Sequence, residues 1–585
     1  SKTHRIYGIN LLEDLLFWTD NRNQPRKINV TTAAADSSYY NSEDLISVAK
    51  FYPSNVPNFY KQVEAVADQV AVGPPPNVIS LDNVISSESL GIEPGMQVVN
   101  MTDPSVMDGI GWWVVSIDSP SLGDVQLNQS PVGAFTQGDV LSFSKYGLKN
   151  CSEEFLPASF FTTLTGGPVT YTFVDTYTFP SVPALDDGYQ VQALGEFSQF
   201  TDTDITWVVD NLNKGGSTLE VKDQSSAAVN ANLNGAEIIT SQANPNYDPN
   251  FTGDTEFLKD KFIRFAYRLK FDDQEYSLIS PFTQIAFIPN QYGSFLPYDD
   301  ERAATSSVLD FFENYINCID LYFQTPLPAN TTGDYNRLYT NWEQFINLFK
   351  VIEVDILCKF ADQTSIQVID TISSERVLNE FLERPPWLFK YTYRSTKPIK
   401  TLPENEITRV SDKVPIRALG QESAGNRIIY SNYVDKHTSP QFLNYNLTTQ
   451  KKVDLPLSQD KRSLYNHSLK ENRTYQVGIV LSDRYGRQSD VILSSVQDTV
   501  DDGTGTLFGA STIYHPFGDS QKFAASDILN FFGDQLLLYL QDPIPETYST
   551  EGYPGLYNTE NPLGWYSYKI VVKQQEQEYY NVYIP

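Results

Sequence analysis

The sequence predicts a mainly β protein, built from several β-sandwich domains with one small inserted β-barrel or sandwich module and few short helices. Three observations carry this. The 36 tyrosines and 34 phenylalanines stand beside 34 prolines and 32 glycines, a balance that favours short aromatic-rich strands punctuated by turns. Three long segments alternate apolar and polar residues ahead of a polar turn, the period-two signature of strands with one buried face. No run of 18 or more apolar residues occurs, so no membrane-spanning helix is expected.

At 585 residues the chain should hold about three to five domains. Its 72 acidic and 42 basic residues give a net charge of -30, with 13% aromatic content. The aromatic mass argues against intrinsic disorder. The acid excess argues against a nucleic-acid wrapper, which needs clustered Lys and Arg to release counterions. Cys151, Cys318 and Cys358 are too widely spaced for a disulfide framework or zinc site to be read from them, which fits folding in a reducing cytosol. Cys318 and Cys358, within the apolar runs INCIDLYF and VDILCKF, read as buried small hydrophobes. Glu13 and Asp14 interrupt the first apolar stretch, so no signal peptide is visible.

Along the chain, residues 1–72 read as a strand-turn element followed by a helix. Two apolar strands flank a turn at Asn10, LLFWTDNRNQPRKINV follows, and Ser42, Glu43 and Asp44 precede LISVAKFY as a helix start would. The Trp-Thr-Asp step does not recur at the period of about 40 to 50 residues that propeller blades require. Residues 73–147 hold NVISLDNV, GIEPGMQVVNM, GWWVVSIDS, DVQLNQS and GDVLSFS, short strands bounded by Gly, Pro, Asp or Asn, as in a small barrel or sandwich. Gly95-Met96-Gln97-Val98, Val114-Val115-Ser116-Ile117-Asp118 and Leu141-Ser142-Phe143 resemble a β module common in phage structural proteins.

Residues 148–300 read as a β domain that ends in the first long hairpin. Phe265, Tyr267, Leu269 and Phe271 alternate, the chain turns at Asp272-Asp273, and it returns through Tyr276 and Ile279. Residues 301–390 hold INCIDLYFQ, KVIEVDIL and SIQVIDTI, with an amphipathic helix of Trp342, Phe345, Ile346 and Phe349. Residues 391–497 hold the second hairpin: Tyr475, Val477, Ile479 and Leu481, a turn at Asp483-Arg484-Tyr485-Gly486, and a return through Val491 and Leu493. Residues 498–585 hold the third, with Tyr566, Tyr568, Ile570 and Val572 before a turn at Gln574 to Gln577. Such hairpins resemble the last two strands of fibronectin-type-III-like sandwiches, and about 90 residues separate the second from the third, as that domain size implies.

Motifs of catalysis are scarce. His4, His437, His467 and His515 are scattered singly, without the i, i+4 pair of a zinc hydrolase, and each reads as a lone surface or packed histidine. No Gly-x-Ser-x-Gly elbow or phosphate-binding loop occurs. Glu353 and Asp355 share a face of KVIEVDIL, but among 72 acids such a pair reads as a solvated strand face before a glycosidase pair. The run Asp498 to Asp502 lacks the spacing of an EF-hand. The sequons at Asn250, Asn330, Asn446 and Asn472 read as an Asn- and Thr-rich β surface. No cofactor or metal is expected. Basic residues cluster as Arg22, Arg26 and Lys27, and as Lys436, Lys451, Lys452, Lys461 and Arg462. Both clusters read either as interface patches facing acidic neighbours or as local ion pairs.

The stretch from Tyr391 to His437 contains Arg409, Asp412 and Lys413 in Arg-Val-x-Asp-Lys-Val-Pro, then Gln421-Glu422, then Asn426, Arg427 and Tyr430 in Gly-Asn-Arg-Ile-x-Tyr. Together with Trp18, Thr19 and Asp20 of the opening segment, it resembles the tail stabilization, or muzzle, protein family of crAss-like short-tailed bacteriophages. The resemblance covers most of the chain. It implies a virion protein assembled in the host bacterial cytoplasm and placed at the distal tail. There, copies of the chain would form a ring, a gated nozzle for DNA and ejected proteins. Implied partners are further copies, other tail ring, hub and fibre proteins, a host surface receptor, and DNA in transit through an acidic bore. The family supplies no catalytic residues, so the chain is expected not to be an enzyme. An acidic lining suits such a conduit, since each phosphate contact would hinder sliding, and head-to-tail interfaces that close by rotation make rings. Two other classes compete: a carbohydrate-binding or adhesin-type surface protein of β-sandwich domains, and a glycan-cleaving tail enzyme.

Overall fold

The computed structural model describes residues 5–70, 78–81, 90–102, 112–119, 124–127, 137–153, 155–156, 161–166, 170–173, 190–193, 206–212, 218–222, 237–244, 246–288, 313–326, 341–407, 414–425, 427–451, 469, 473–494, 500–501, 507–508, 511–515, 534–542, 544, 554–558, 561 and 563–575. The chain is mainly β, with several antiparallel sheets and a few short helices.

Strands Gly8–Leu12, Leu15–Thr19 and Arg26–Asn29 form an N-terminal sheet in sequence order. Its first turn lies at Glu13-Asp14, where Glu13 adopts a left-handed φ of 54°, rather than at Asn10. Asn10 stays inside the strand opposite Phe17 because its side-chain oxygen finds a donor there, Nε2 of Gln421 at 2.9 Å. The helix expected after Ser42 is a single turn, Glu43–Ile46. It stops where Ser47 turns extended and bridges to Arg26, with the Val48 N–H donating to the Pro25 carbonyl at 3.0 Å. Beyond it Tyr60–Val70 is a strand, burying Lys61, Val63, Ala65 and Ala67 in alternation.

That strand opens the inserted module, which therefore starts ahead of residue 73. It joins Val78–Leu81, Gln97–Asn100, Val114–Ser119, Asp124–Leu127 and Val140–Tyr146 in a six-stranded sheet around a core of Val63, Ile79, Met96, Val98, Leu127 and Phe143. Entry and exit lie side by side: Asn58 bridges to Tyr322, and the Gly147 N–H donates to the Phe59 carbonyl at 2.7 Å.

The first sandwich packs two sheets across one core. One sheet holds Leu148–Lys149, Cys318–Gln324 and Leu388–Tyr393, the other Ile263–Phe271, Val351–Phe360, Gln367–Ser373 and Lys400–Thr401. The boundary expected at 390 falls within strand Leu388–Tyr393, and strands on either side of the one expected at 300, Ile263–Phe271 and Val351–Phe360, pair in one sheet. A seven-stranded sheet, from Phe155–Leu156 to Glu237–Ala243, is inserted between Lys149 and Ile263. Helix Trp342–Phe349 buries Trp342, Phe345, Ile346 and Phe349, and the Asn341 side chain accepts from the Gln344 N–H at its start. The aromatic excess is spent largely here: Phe323 stacks on Phe389 at 4.4 Å, Trp342 meets Phe389 edge-on at 4.8 Å, and Tyr267 meets Phe323 at 5.2 Å, arrangements that add to area burial.

In the second sandwich, Tyr445–Lys451 pairs with Asp534–Leu540, and Arg473–Asp483 lies between Thr512–His515 and Trp565–Gln575. Tyr445, Leu447, Val477, Ile479, Leu481 and Trp565 share the core. The third repeated segment thus completes the sheet of the second, pairing from Thr474↔Gln575 to Asp483↔Trp565. Strands before and after the boundary expected at 497 thus share one sheet, and the return of the third hairpin lies outside the described residues.

Candidate functional site: two hairpin turns joined by the N-terminal segment

The first two hairpins are one local structure used twice. Eight residues separate Leu269 from Ser277 and Leu481 from Ser489, and in both the serine N–H donates to the leucine carbonyl at 2.8 Å. The leucine N–H in turn donates to the serine Oγ at 2.9 Å, and that hydroxyl donates to the carbonyl of the next residue. Gln274 and Gly486, five residues beyond each leucine, both take positive φ, 67° and 84°. In the first hairpin the hydroxyl pattern continues through Ser280 and Thr283, which accept from the Tyr267 and Phe265 N–H groups. The return is therefore a period-three Ser-x-x-Ser-x-x-Thr segment, not the period-two strand expected. A strand residue advances two positions per rung while the returning chain advances three, and the hydroxyls supply the acceptors that backbone carbonyls cannot reach.

The two turns carry opposite charge, and the segment between residues 20 and 52 joins both. On the first, acidic turn, Lys27 contacts Glu275 at 2.5 Å and Asp273 at 3.3 Å, and Lys50 pairs with Asp273. Burial pushes the Asp273 carboxyl up, but Lys50 and Lys27 outweigh it and leave the group below its ordinary range. On the second turn, Arg484 donates to Asp44 at 2.5 Å, and the Tyr485 hydroxyl donates to the other oxygen of Asp44 at 3.1 Å. Desolvation dominates at Asp44 and holds its carboxyl above the usual value in spite of Arg484. Arg487 pairs with buried Asp483 at 2.6 Å and reaches Gln24 at 3.1 Å. His437 Nε2 lies 3.1 Å from Asp483, with its ring against Trp565. At Asp483 burial is again the largest influence and again opposed, by Arg487 and His437, which leave the carboxyl lowered. A Cβ on Gly486 would meet Leu278 of the first hairpin at 2.6 Å and Tyr52 at 3.1 Å, so the turns touch where only glycine fits.

The two stretches that carry the family resemblance also meet. Asn21 N–H donates to the Ala418 carbonyl at 3.0 Å, Gln421 donates to Asn10, and a Cβ on Gly8 would lie 2.7 Å from Cβ of Gln421. Thr19 is buried, and Trp18 stands opposite Ile9 and Arg26 in the N-terminal sheet. Asp20 accepts from the N–H groups of Arg22 and Asn23 and from the Asn23 side chain. In the hairpin Arg417–Ala424 and Arg427–Val434, Gln421 pairs with Tyr430 and Glu422 with Ile429; burial pushes the Tyr430 hydroxyl up to about 12. Arg427 and Glu422 are exposed. Arg409, Asp412, Lys413 and Asn426 lie outside the described residues.

Of the basic clusters, Arg26 and Lys27 make ion pairs within the chain, Arg26 forking onto Glu43 at 2.7 and 3.2 Å. Arg22 and Lys436 are exposed, Lys451 ends a strand opposite Asp534, and Lys452, Lys461 and Arg462 lie outside the described residues. Sequence reasoning missed Lys50, Asp44, Gln24, Arg484 and Arg487 as a set, because their partners are hundreds of positions away. The one local signal was the pair of hairpin turns itself, DDQE against DRYGR.

Glu353 and Asp355 face cations across the strand pair: Lys270 lies 2.9 Å from Glu353, and Arg268, 2% exposed, lies 2.8 Å from Asp355. Asp355 is buried, whereas Glu353 keeps about a third of its side chain exposed, as a partly solvated strand face would. His515 sits 3.3 Å from Asp534; His4, His467 and the side chains of 498–502 lie outside the described residues. Among the described residues no group of three or more His, Cys, Asp or Glu side chains is arranged to hold a metal ion, and no helix is long and apolar enough to cross a membrane. No protein-family model matches this chain, and no curated protein sequence matches it.

Proposed function

We propose that the chain is a structural virion protein of a short phage tail, not an enzyme, whose copies form a ring-shaped nozzle at the distal end. This nozzle gates and conducts DNA and ejected proteins. The observation that carries the reading is the meeting of the two resembling stretches, where the Asn21 N–H donates to the Ala418 carbonyl at 3.0 Å; the neighbouring Gly8 and Asn10 pack on Gln421 of the same hairpin. The contact joins the two stretches in one structural unit, as a shared family pattern would require.

Exposed apolar side chains support assembly. Ile6, Tyr7, Ile9 and Leu11 at the N-terminal sheet are more than half exposed, as are Tyr568 and Val572 on Trp565–Gln575. Apolar residues grouped in this way mark contact surfaces. The tie between the hairpin turns makes the two sandwiches and the N-terminal sheet one unit, a property suited to a subunit under load during ejection. The net charge of -30 suits a bore that repels the polyanion it passes. Negative-stain imaging of the purified protein tests the reading: closed rings are expected, and dispersed monomers at micromolar concentration would overturn it. The carbohydrate-binding alternative predicts such monomers.

A further inference from the structure

The root of the seven-stranded insertion holds two buried cysteines on neighbouring segments. Strand Leu148–Lys149 pairs with Cys318–Gln324 so that Lys149 faces Cys318. If that register simply continued, Cys151 would lie diagonally from Cys318 at roughly 7–8 Å between Cα atoms, beyond the roughly 4.4–6.8 Å that a disulfide spans. The strand ends instead at Lys149. Asn150 Oδ1 accepts from the N–H groups of Ser152 and Glu153 at 3.0 and 3.1 Å, and the Cys151 N–H donates to Asn317 Oδ1 at 2.8 Å. The turn folds Cys151 back beside Asn317, the residue before Cys318, and the two thiols interact. Both cysteines are buried and free.

Both ends of the insertion converge on this point. Asn244 donates to the carbonyls of Asn150 and Glu153 at 2.6 and 2.7 Å, Asp248 N–H donates to the Cys151 carbonyl at 2.9 Å, and Asn317 donates to Ser152 Oγ at 2.6 Å. We propose that Cys151 and Cys318 are a dithiol pair that closes to a disulfide under oxidising conditions, fastening the root of the insertion to the first sandwich. This does not depend on the tail reading. It sharpens the expectation from sequence, where the spacing of the cysteines showed no pairing.

The chemistry balances with a small-molecule disulfide such as oxidised glutathione as oxidant. The Cys151 thiolate attacks one of its sulfurs, forming a mixed disulfide and releasing one glutathione thiolate. Cys318 gives its proton to solvent and attacks the Cys151 sulfur, releasing the second glutathione. Two electrons pass to the oxidant, and the two protons end on the released thiols. The order follows from the surroundings. The hydrogen bond from Cys318 holds the Cys151 thiol below its usual range, with Lys149 and Arg394 helping, while the same bond and burial raise Cys318. Cys358 stands apart, pushed up to about 12 by burial.

The test incubates the full chain with oxidised glutathione at about pH 8, then alkylates it in denaturant and maps peptides by mass spectrometry. Alkylation is expected to fall from three thiols to one. A Cys151–Cys318 linked peptide should appear about 2 Da lighter than its two reduced parts, and the melting temperature should rise by roughly 5 °C. Cys151→Ser and Cys318→Ser should each abolish the rise, and Cys358→Ser should keep it. Three alkylated thiols after oxidation, glutathione retained on Cys151, or a linkage through Cys358 would each overturn the proposal.

Discussion

Arg487, in the turn of the second hairpin, donates from Nη2 to Oε1 of Gln24 at 3.1 Å, across 463 positions of sequence. Its Nε holds Asp483 at 2.6 Å, and its Nη1 points at the carbonyls of Val414 and Pro415 at 3.5 and 3.4 Å. One buried guanidinium thus ties the second sandwich to the N-terminal segment and to Val414-Pro415 within the stretch that carries the family resemblance. Arginine suits the place because its planar fork serves several acceptors at once.

Arg487→Ala should lower stability by about 3–5 kcal/mol, because it leaves the Asp483 carboxylate buried without its partner. Arg487→Lys should recover only part of that, since an ammonium cannot fork. Equilibrium unfolding in urea measures both, and a loss under about 1 kcal/mol for the alanine variant would show that the pair contributes little.

Acid should weaken the same contacts. Burial acts against ionisation at Asp483 and Asp273 but is outweighed, at Asp483 by Arg487 and His437 and at Asp273 by Lys50 and Lys27, so both folded carboxyls lie below their unfolded value. Their stabilisation is complete above the ordinary aspartate range near pH 4 and is lost as pH falls through the lower folded values. Asp44 has the opposite sign: desolvation, its largest influence, raises it, so its destabilising ionisation is relieved as pH falls through that raised value. Urea midpoints measured from neutral pH downward should stay level or rise slightly, then drop below about pH 4. In Asp483→Asn that drop should be shallower.

Gly91 binds the inserted module to the first sandwich. It has a φ of 71°, and a Cβ there would lie 1.8 Å from the Arg384 carbonyl oxygen, so Gly91→Ala should cost about 2 kcal/mol or more. Gly95 shares the positive φ, 84°, but meets nothing within 4 Å. Gly95→Ala should therefore cost about 1 kcal/mol. Limited proteolysis should cut the Gly91 variant faster within residues 60–146; equal rates for the two variants would remove the distinction.

Ser277→Ala and Ser489→Ala each take the acceptor from a strand N–H, at Leu269 and Leu481. Each should cost about 1–3 kcal/mol. Hydrogen exchange should quicken at the matching leucine amide in each variant, and unchanged protection at both would contradict the shared hydroxyl motif.

What could be read from sequence was whatever repeats locally. The alternation of Phe265, Tyr267, Leu269 and Phe271 placed a strand, and Trp342, Phe345, Ile346 and Phe349 placed a helix face, because side-chain periodicity is written in neighbouring residues. The period-three return through Ser277, Ser280 and Thr283 was also written there, but serine and threonine carry no hydrophobic signal. Lys27 next to Asp273, or Asp44 next to Arg484, could not be read at all, since nothing local records which distant turn a charge will meet. Strand Tyr60–Val70 was hidden for another reason: Lys61, buried between Glu93 at 2.6 Å and Glu383 at 3.4 Å, occupies an inward position that alternation would give to an apolar residue. Sheet membership is hidden in the same way, because strands that pair in one sheet lie on opposite sides of long insertions.

The most direct test of the nozzle assignment is the position of the chain on the particle. Gold-labelled antibody raised against this protein, applied to intact virions from cultures that produce it, should mark the distal tip of a short tail, with several copies around its axis. Gold confined to the capsid, or found only on the surface of the host cell, would contradict it.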